Sequence, residues 1–138
     1  MRKNGKEAIM WMRVMRKENL GGFKGWCLRT ARQAWDLPAD QPSAIKEWDS
    51  IPDKYKSKQW WKAPIGAPHF WAGGEFGHVA LQSAFKGFVW GTDAPNVDKV
   101  GRVHMSYFSR KWGYEYLGWS SQFQNAKLPL DKKAANER

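Results

Sequence analysis

Apolar positions recur along the chain in two rhythms. Between Lys6 and Lys17, Ala8, Trp11, Met12 and Met15 are spaced i, i+3, i+4, i+7, while Glu7, Arg13, Arg16 and Lys17 take the other side. That spacing predicts an amphipathic helix, stopped by the glycines of "NLGG" at 19–22. A second helix is predicted to open near Trp26, with Leu28, Ala31 and Trp35 on one face and Cys27, Ala31 and Ala34 beside it. Pro38 ends it at about Leu37, because the residue before a proline is pushed out of helical geometry. From 39 to 62 the chain is polar and interrupted by prolines. Ser43 is placed to cap a short helix carrying Ile45 and Trp48. The basic, aromatic stretch "DKYKSKQWWK" reads either as a solvated connection or as the wall of a groove.

The rhythm then shortens. Residues 64–71, 77–83, 87–93, 99–107 and 114–120 are rich in Val, Phe, Trp and Tyr and bounded by Gly and Pro, which predicts strands. "YFSRKWG" between the last two predicts a helical turn, and "DKKAANER" at 131–138 is expected to fray. No repeat or internal linker divides the chain. Helices first and an antiparallel sheet after them is the α+β pattern. A chain of 138 residues fits a single domain, here 1–138, with an N-terminal helix within 1–20 and a core over 25–123.

Composition narrows the partners. Lysine and arginine number 23 against 13 acidic residues, a net charge of +10, so the surface favours polyanions. The ten tryptophans exceed what one small core needs, which suggests an aromatic groove for sugars, bases or peptides. A lone cysteine cannot close an internal disulfide. The segment "MRKNGKEAIMWMRVMRKENL" is charged throughout and lacks the apolar stretch of a secretory signal, and no run approaches the ~20 apolar residues of a membrane span. Synthesis in a cytoplasm is expected, without membrane insertion.

Cys27 lies in the first turn of the second predicted helix, between Lys24 and Arg29. A helix N-terminus and nearby positive charge both lower a thiol's pKa, and a histidine brought close would supply a base. Of His69, His78 and His104, His78 fits best: it follows Gly77 and opens an apolar strand. A hairpin turning near Phe85 sets His78 opposite Thr92 or Asp93. Cross-strand neighbours on one face lie within side-chain reach, so a carboxylate there could orient the imidazole. Asp93 is the expected partner, with Thr92 or a backbone carbonyl as the alternative.

The segments "GWCLRTARQAW", "PIGAPHFW", "GHVAL…VWGTD" and "KWGYEYLGWS", in this order, resemble the peptidase domain of endolysins from phages of actinobacteria and related hosts. Such domains are similar to the CHAP and NlpC branches of the papain-like superfamily. The resemblance covers Gly25 to Phe123 and does not include the helix over 6–17. It implies a papain-like α+β core with the cysteine on a helix packed against an antiparallel sheet. It also implies hydrolysis of an amide bond of bacterial peptidoglycan, without cofactor or metal. By position Cys27 becomes the nucleophile, His78 the general base and Asp93 the orienting residue. CHAP domains often place glutamine just before the cysteine, where Trp26 stands here, so the second oxyanion donor is unassigned. Candidate substrate contacts are Trp26, Trp60, Trp61, Trp71, Trp90 and Thr92, with core packing expected for at least half of the tryptophans. The expected protein is a monomer made in the host cytoplasm that meets peptidoglycan, and not nucleic acid, once a partner permeabilises the membrane.

Three rival readings use the same residues. Interleaved lysines and aromatics in "KYKSKQWWK" suit single-stranded nucleic acid, with bases on rings and lysines along phosphates, although no recognised nucleic-acid motif is present. His69, His78, His104 and an acid could ligate zinc, without HExxH or CxxC spacing to support it. A catalytically dead relative serving as an interaction or toxin domain is the third.

Overall fold

A computed structural model describes residues 1–136; residues 137 and 138, part of the tail expected to fray, lie outside the described residues. Four α-helices form: α1 (Gly5–Glu18), α2 (Cys27–Ala34), α3 (Ala44–Ser50) and α4 (Tyr107–Trp112). Local chemistry sets the ends of α1. The Asn4 side chain accepts from the Glu7 N–H, and Asn19 closes the helix in the left-handed conformation at φ 54°. Ser43 caps α3 as its position predicts, accepting from the Lys46 N–H. Gly5 is required by space: its Cα lies against the Ile65 backbone, which any Cβ would strike.

Eight strands follow the helices or lie among them: β1 (Lys56–Ser57), β2 (Pro68–Ala72), β3 (His78–Gln82), β4 (Phe88–Thr92), β5 (Val100–His104), β6 (Glu115–Ser120), β7 (Gln122–Phe123) and β8 (Ala126–Lys127). The first six make an antiparallel sheet in the order β1-β6-β2-β3-β4-β5, and β7 and β8 form a separate hairpin. The α+β class is therefore as expected.

Both faces of the sheet are covered, which gives its central strands no polar side. Ala8, Met12, Leu28, Ala31 and Trp35 from α1 and α2 pack over Phe70, Val79, Leu81 and Trp90. On the opposite face Trp71, Ala80, Val89, Met105 and Phe108 form a second cluster, with Trp112, Tyr114 and Tyr116 at its margin. No helix among the described residues is long and apolar enough to cross a membrane.

The described part of the tail is held, contrary to the expectation of fraying. Lys133 bridges to Pro64 and Ala135 to Phe85, Ala134 is buried, and the Ile65 N–H donates to the Lys132 carbonyl at 2.8 Å. Small side chains and a free backbone edge beside Phe85 outweigh the polar composition.

A buried acid ties α3 to the β7–β8 turn. Glu47 accepts from the Gln124 backbone N–H at 3.0 Å and from its Nε2 at 3.1 Å. Burial pushes the Glu47 carboxyl up from its ordinary 4.5 to about 7, against the pull of those hydrogen bonds. The folded chain thus keeps a proton here that the unfolded chain releases. The resulting stability is complete below pH 4.5 and is lost as pH rises through about 7. Glu47→Gln retains the shape and one acceptor but cannot titrate. In thermal melts between about pH 4 and about pH 8, wild type should lose stability relative to Glu47→Gln as pH rises. A constant difference across that range would show that Glu47 titrates alike in both states.

Candidate active site

Cys27 is the first residue of α2, and Trp26 is the capping residue before it. The loop leading into this helix is held by two carboxylates from the loop after β4. Asp98 accepts from the N–H groups of Gly22 and Lys24, and Asp93 accepts from the Gly25 N–H, each at 3.0 Å. The other Asp93 oxygen accepts from the Asp98 N–H at 2.7 Å. Both acids have left-handed backbones, at φ 65° and 72°. The sequence reading missed Asp98; an Asp-rich loop with the residues of tight turns was its only local signal.

The β3–β4 register pairs Leu81 with Trp90 and Gln82 with Val89. Three residues further along each strand, that register sets His78 level with Asp93, as the hairpin predicts. The side chains do not meet as expected. The positive φ at Asp93 turns its carboxylate toward Gly25 and Asp98, and His78 Nε2 is buried with no hydrogen-bond partner. The expectation that Asp93 orients the imidazole by a hydrogen bond is corrected on this point. Aromatic rings surround His78 instead: Phe108 at 4.5 Å between centroids, Trp112 at 5.0 Å and Trp71 at 6.0 Å. Trp112 stands edge-on at 87°. Phe108 and Trp112 are four residues apart on α4, so one face of this short helix builds two walls of the enclosure.

Gly77 brings the start of β3 into place. At φ +71° it takes a conformation costly for other residues, and a Cβ there would lie 2.8 Å from the Trp71 carbonyl oxygen. The recorded pairing of β3 with β4 does not extend to Val79. Burial pushes the Cys27 thiol up to about 11, against hydrogen bonds from the Val79 and Leu28 backbones, and the Asp93 carboxylate adds to the rise. Burial also pulls His78 down to about 3. At neutral pH the resting pair is therefore a thiol and a neutral imidazole.

Cys27 and His78 line one cavity of about 360 Å³, together with Glu75, Phe76, Asp93, Trp112 and Tyr114. A second cavity, of about 500 Å³, lies on the α2 side and includes Trp26, Arg29, Arg32, Ser43 and Phe76. Gly25, Cys27 and Phe76 belong to both, so Cys27 sits where the two cavities adjoin. Phe76 is 58% exposed in the β2–β3 loop, and the Ile45 N–H donates to its carbonyl at 2.9 Å, tying the loop to α3.

The other expected contacts divide sharply. Trp26 lines the larger cavity, half exposed, with the Arg29 guanidinium 4.3 Å over its ring. Trp60 and Trp61 are exposed but line neither cavity. They follow β1, whose Ser57 is level with Trp119 and His69, toward the end of β2 away from the site. Their rings meet edge to face at 87°, so they offer no pair of parallel faces for stacked bases. Trp71 is 1% exposed and belongs to the second core cluster, because β2 is covered on both sides. Trp90, 6% exposed, packs in the main core, with Arg16 and Arg102 over its ring. Thr92 is wholly buried and its hydroxyl has no partner. Trp71 and Thr92 are thus not surfaces a substrate can touch, and Trp90 borders a separate cavity beside α1 rather than either cavity at Cys27.

The other two histidines stay out of the site. His69 is buried between Tyr116 Oη and Gln82 Oε1, each at 2.7 Å, and His104 sits beside Ser106 at the surface. No grouping of three or more metal-ligating side chains occurs among the described residues. Comparisons with protein-family models, with curated proteins and with solved structures found no match to this chain.

Proposed function

We propose that the protein is a thiol hydrolase with a papain-like core, cutting a peptide-linked amide in bacterial peptidoglycan. One observation carries the reading: the chain's only cysteine begins a helix where two cavities adjoin, and one of them holds a buried histidine with an unpartnered ring nitrogen. Both groups rest neutral, so there is no preformed ion pair, and the thiol proton moves only as the carbonyl is attacked. His78 takes the thiol proton as Sγ bonds to the carbonyl carbon. The oxyanion forms beside the free N–H groups of the first turn of α2, where the helix dipole favours negative charge. The imidazolium then gives its proton to the departing amine, leaving a thioester. Water, deprotonated by His78, attacks that thioester and restores the thiol.

The aromatic enclosure takes over the orienting part of what a hydrogen-bonded carboxylate would supply. Rings on three sides fix the imidazole plane, and the same burial keeps the ring neutral at rest. The surplus of basic side chains speeds encounter with an anionic wall.

The test is mass spectrometry of purified wall fragments after digestion, run beside Cys27→Ala. Wild type should release fragments with one new amine and one new carboxyl end, and the folded variant should release none. Equal release by both would end the thiol reading.

A further inference from the structure

The cleft is electrically divided at Cys27. The larger cavity is lined by Lys24, Arg29 and Arg32 and by no carboxylate. The smaller is lined by Glu75 and Asp93 and by no lysine or arginine, in a chain with 23 basic residues against 13 acidic ones. Neither side is neutralised by ion pairs: among the described residues the recorded salt bridge is Lys56–Asp53, outside both cavities. The Arg29 guanidinium stands over the Trp26 ring with its buried Nε unpartnered, a donor held in place without an acceptor. Arg32 spends one Nη1 donor on the Leu37 carbonyl at 3.1 Å and keeps the rest of its fork.

Proton transfer gives the division a direction. The group that protonates a departing amine must stand beside it, and His78 lies in the acidic cavity. The departing half of the substrate therefore occupies the acidic side, and the acyl half occupies the basic side.

Resting on the thiol-hydrolase reading, we propose that the cleft selects a wall peptide with a free carboxylate on the acyl side of the cut bond and a free ammonium on the departing side. Arg29 and Arg32 meet the carboxylate, with the guanidinium fork suited to its two oxygens. Glu75 meets the ammonium. Asp93, committed to Gly25 and Asp98, adds only its charge.

The experiment uses purified soluble wall fragments in three forms: native, with carboxylates converted to methylamides, and with amines acetylated. For wild type, methylamidation should lower kcat/KM by about tenfold or more, and acetylation by a smaller factor. The Arg29→Gln/Arg32→Gln protein should be slower on native fragments and nearly indifferent to methylamidation. Glu75→Gln should be indifferent to acetylation. In parallel, calorimetry with Cys27→Ala measures binding of the same three forms without turnover, and native fragments should bind most tightly. Cys27-dependent cutting at equal rates on all three forms overturns the charge selection and leaves the hydrolase reading standing. With no Cys27-dependent cutting, the hydrolase reading falls; preferential binding of native fragments then upholds the charge-selective cleft, and equal binding overturns it as well.

Discussion

Under the proposed mechanism, His78→Ala is expected to slow wall hydrolysis by about 10² to 10⁴-fold, the range lost when a positioned general base is removed. Its imidazole is the ring that shares a cavity with Cys27, and the other two histidines are engaged elsewhere. Removing it also leaves the thiol without a proton acceptor, and a thiol raised to about 11 cannot ionise unaided near neutrality. Asp93→Asn should behave differently. The carboxylate holds the Gly25 and Asp98 N–H groups, so the amide loses one acceptor and loosens the loop entering α2. A loss of about tenfold or less is expected, with the pH–rate profile moved at most slightly to lower pH, since the Asp93 charge adds to the rise of the Cys27 thiol. Rates across pH for the three proteins, each verified as folded by thermal melting, decide the point. A loss for Asp93→Asn as deep as that for His78→Ala, with a displaced profile, would return Asp93 to the orienting role.

The largest effect on stability is expected at Trp35. It is wholly buried at the end of α2, in the cluster joining α1 and α2 to the sheet, and its Nε1 donates to the Gly66 carbonyl at 3.0 Å. Its ring also fills the space beside Gly66, where a Cβ would meet Cζ2 at 2.9 Å. Trp35→Ala removes both the packing and the donor and should cost about 3–5 kcal/mol, which lowers the melting temperature by about 10 °C or more. Trp35→Phe keeps most of the packing but leaves the Gly66 carbonyl unpaired, for a cost nearer 1–2 kcal/mol. Equal losses in urea melts of the two variants would assign the contribution to the hydrogen bond rather than to packing.

Periodicity made most of the elements legible. The i, i+3, i+4 face of α1, the Ser43 cap and the β3–β4 register all follow from local rules that tertiary packing did not override. β7 and β8 were not legible because two-residue strands carry no period, although Asn125 at φ 61° is a turn residue in plain view. The candidate site was legible only as far as Cys27 and His78. Alternation could not say which tryptophans face out, since β2 and β3 are buried on both faces. Opposite register positions did place His78 level with Asp93, but a single left-handed backbone at Asp93 redirected its carboxylate, and no pattern of residue types announces that. Arg29 and Arg32 lie off the apolar face of α2, and periodicity does not show that the loop carrying Phe76 lines the same cavity and makes their side one wall of a cleft.

The burial that raises the Cys27 thiol has a consequence for durability. It is the thiolate that attacks peroxide and disulfides, and with a pKa of about 11 the sulfur is ionised in about one molecule in 10⁴ at neutral pH. Its surface is only 9% exposed, and the sequence holds no second cysteine to resolve an oxidised sulfur into an internal disulfide. Under the proposed mechanism the burial that calls for a base to activate the thiol also slows its oxidation, so reactivity and resistance to air are set by one desolvated atom.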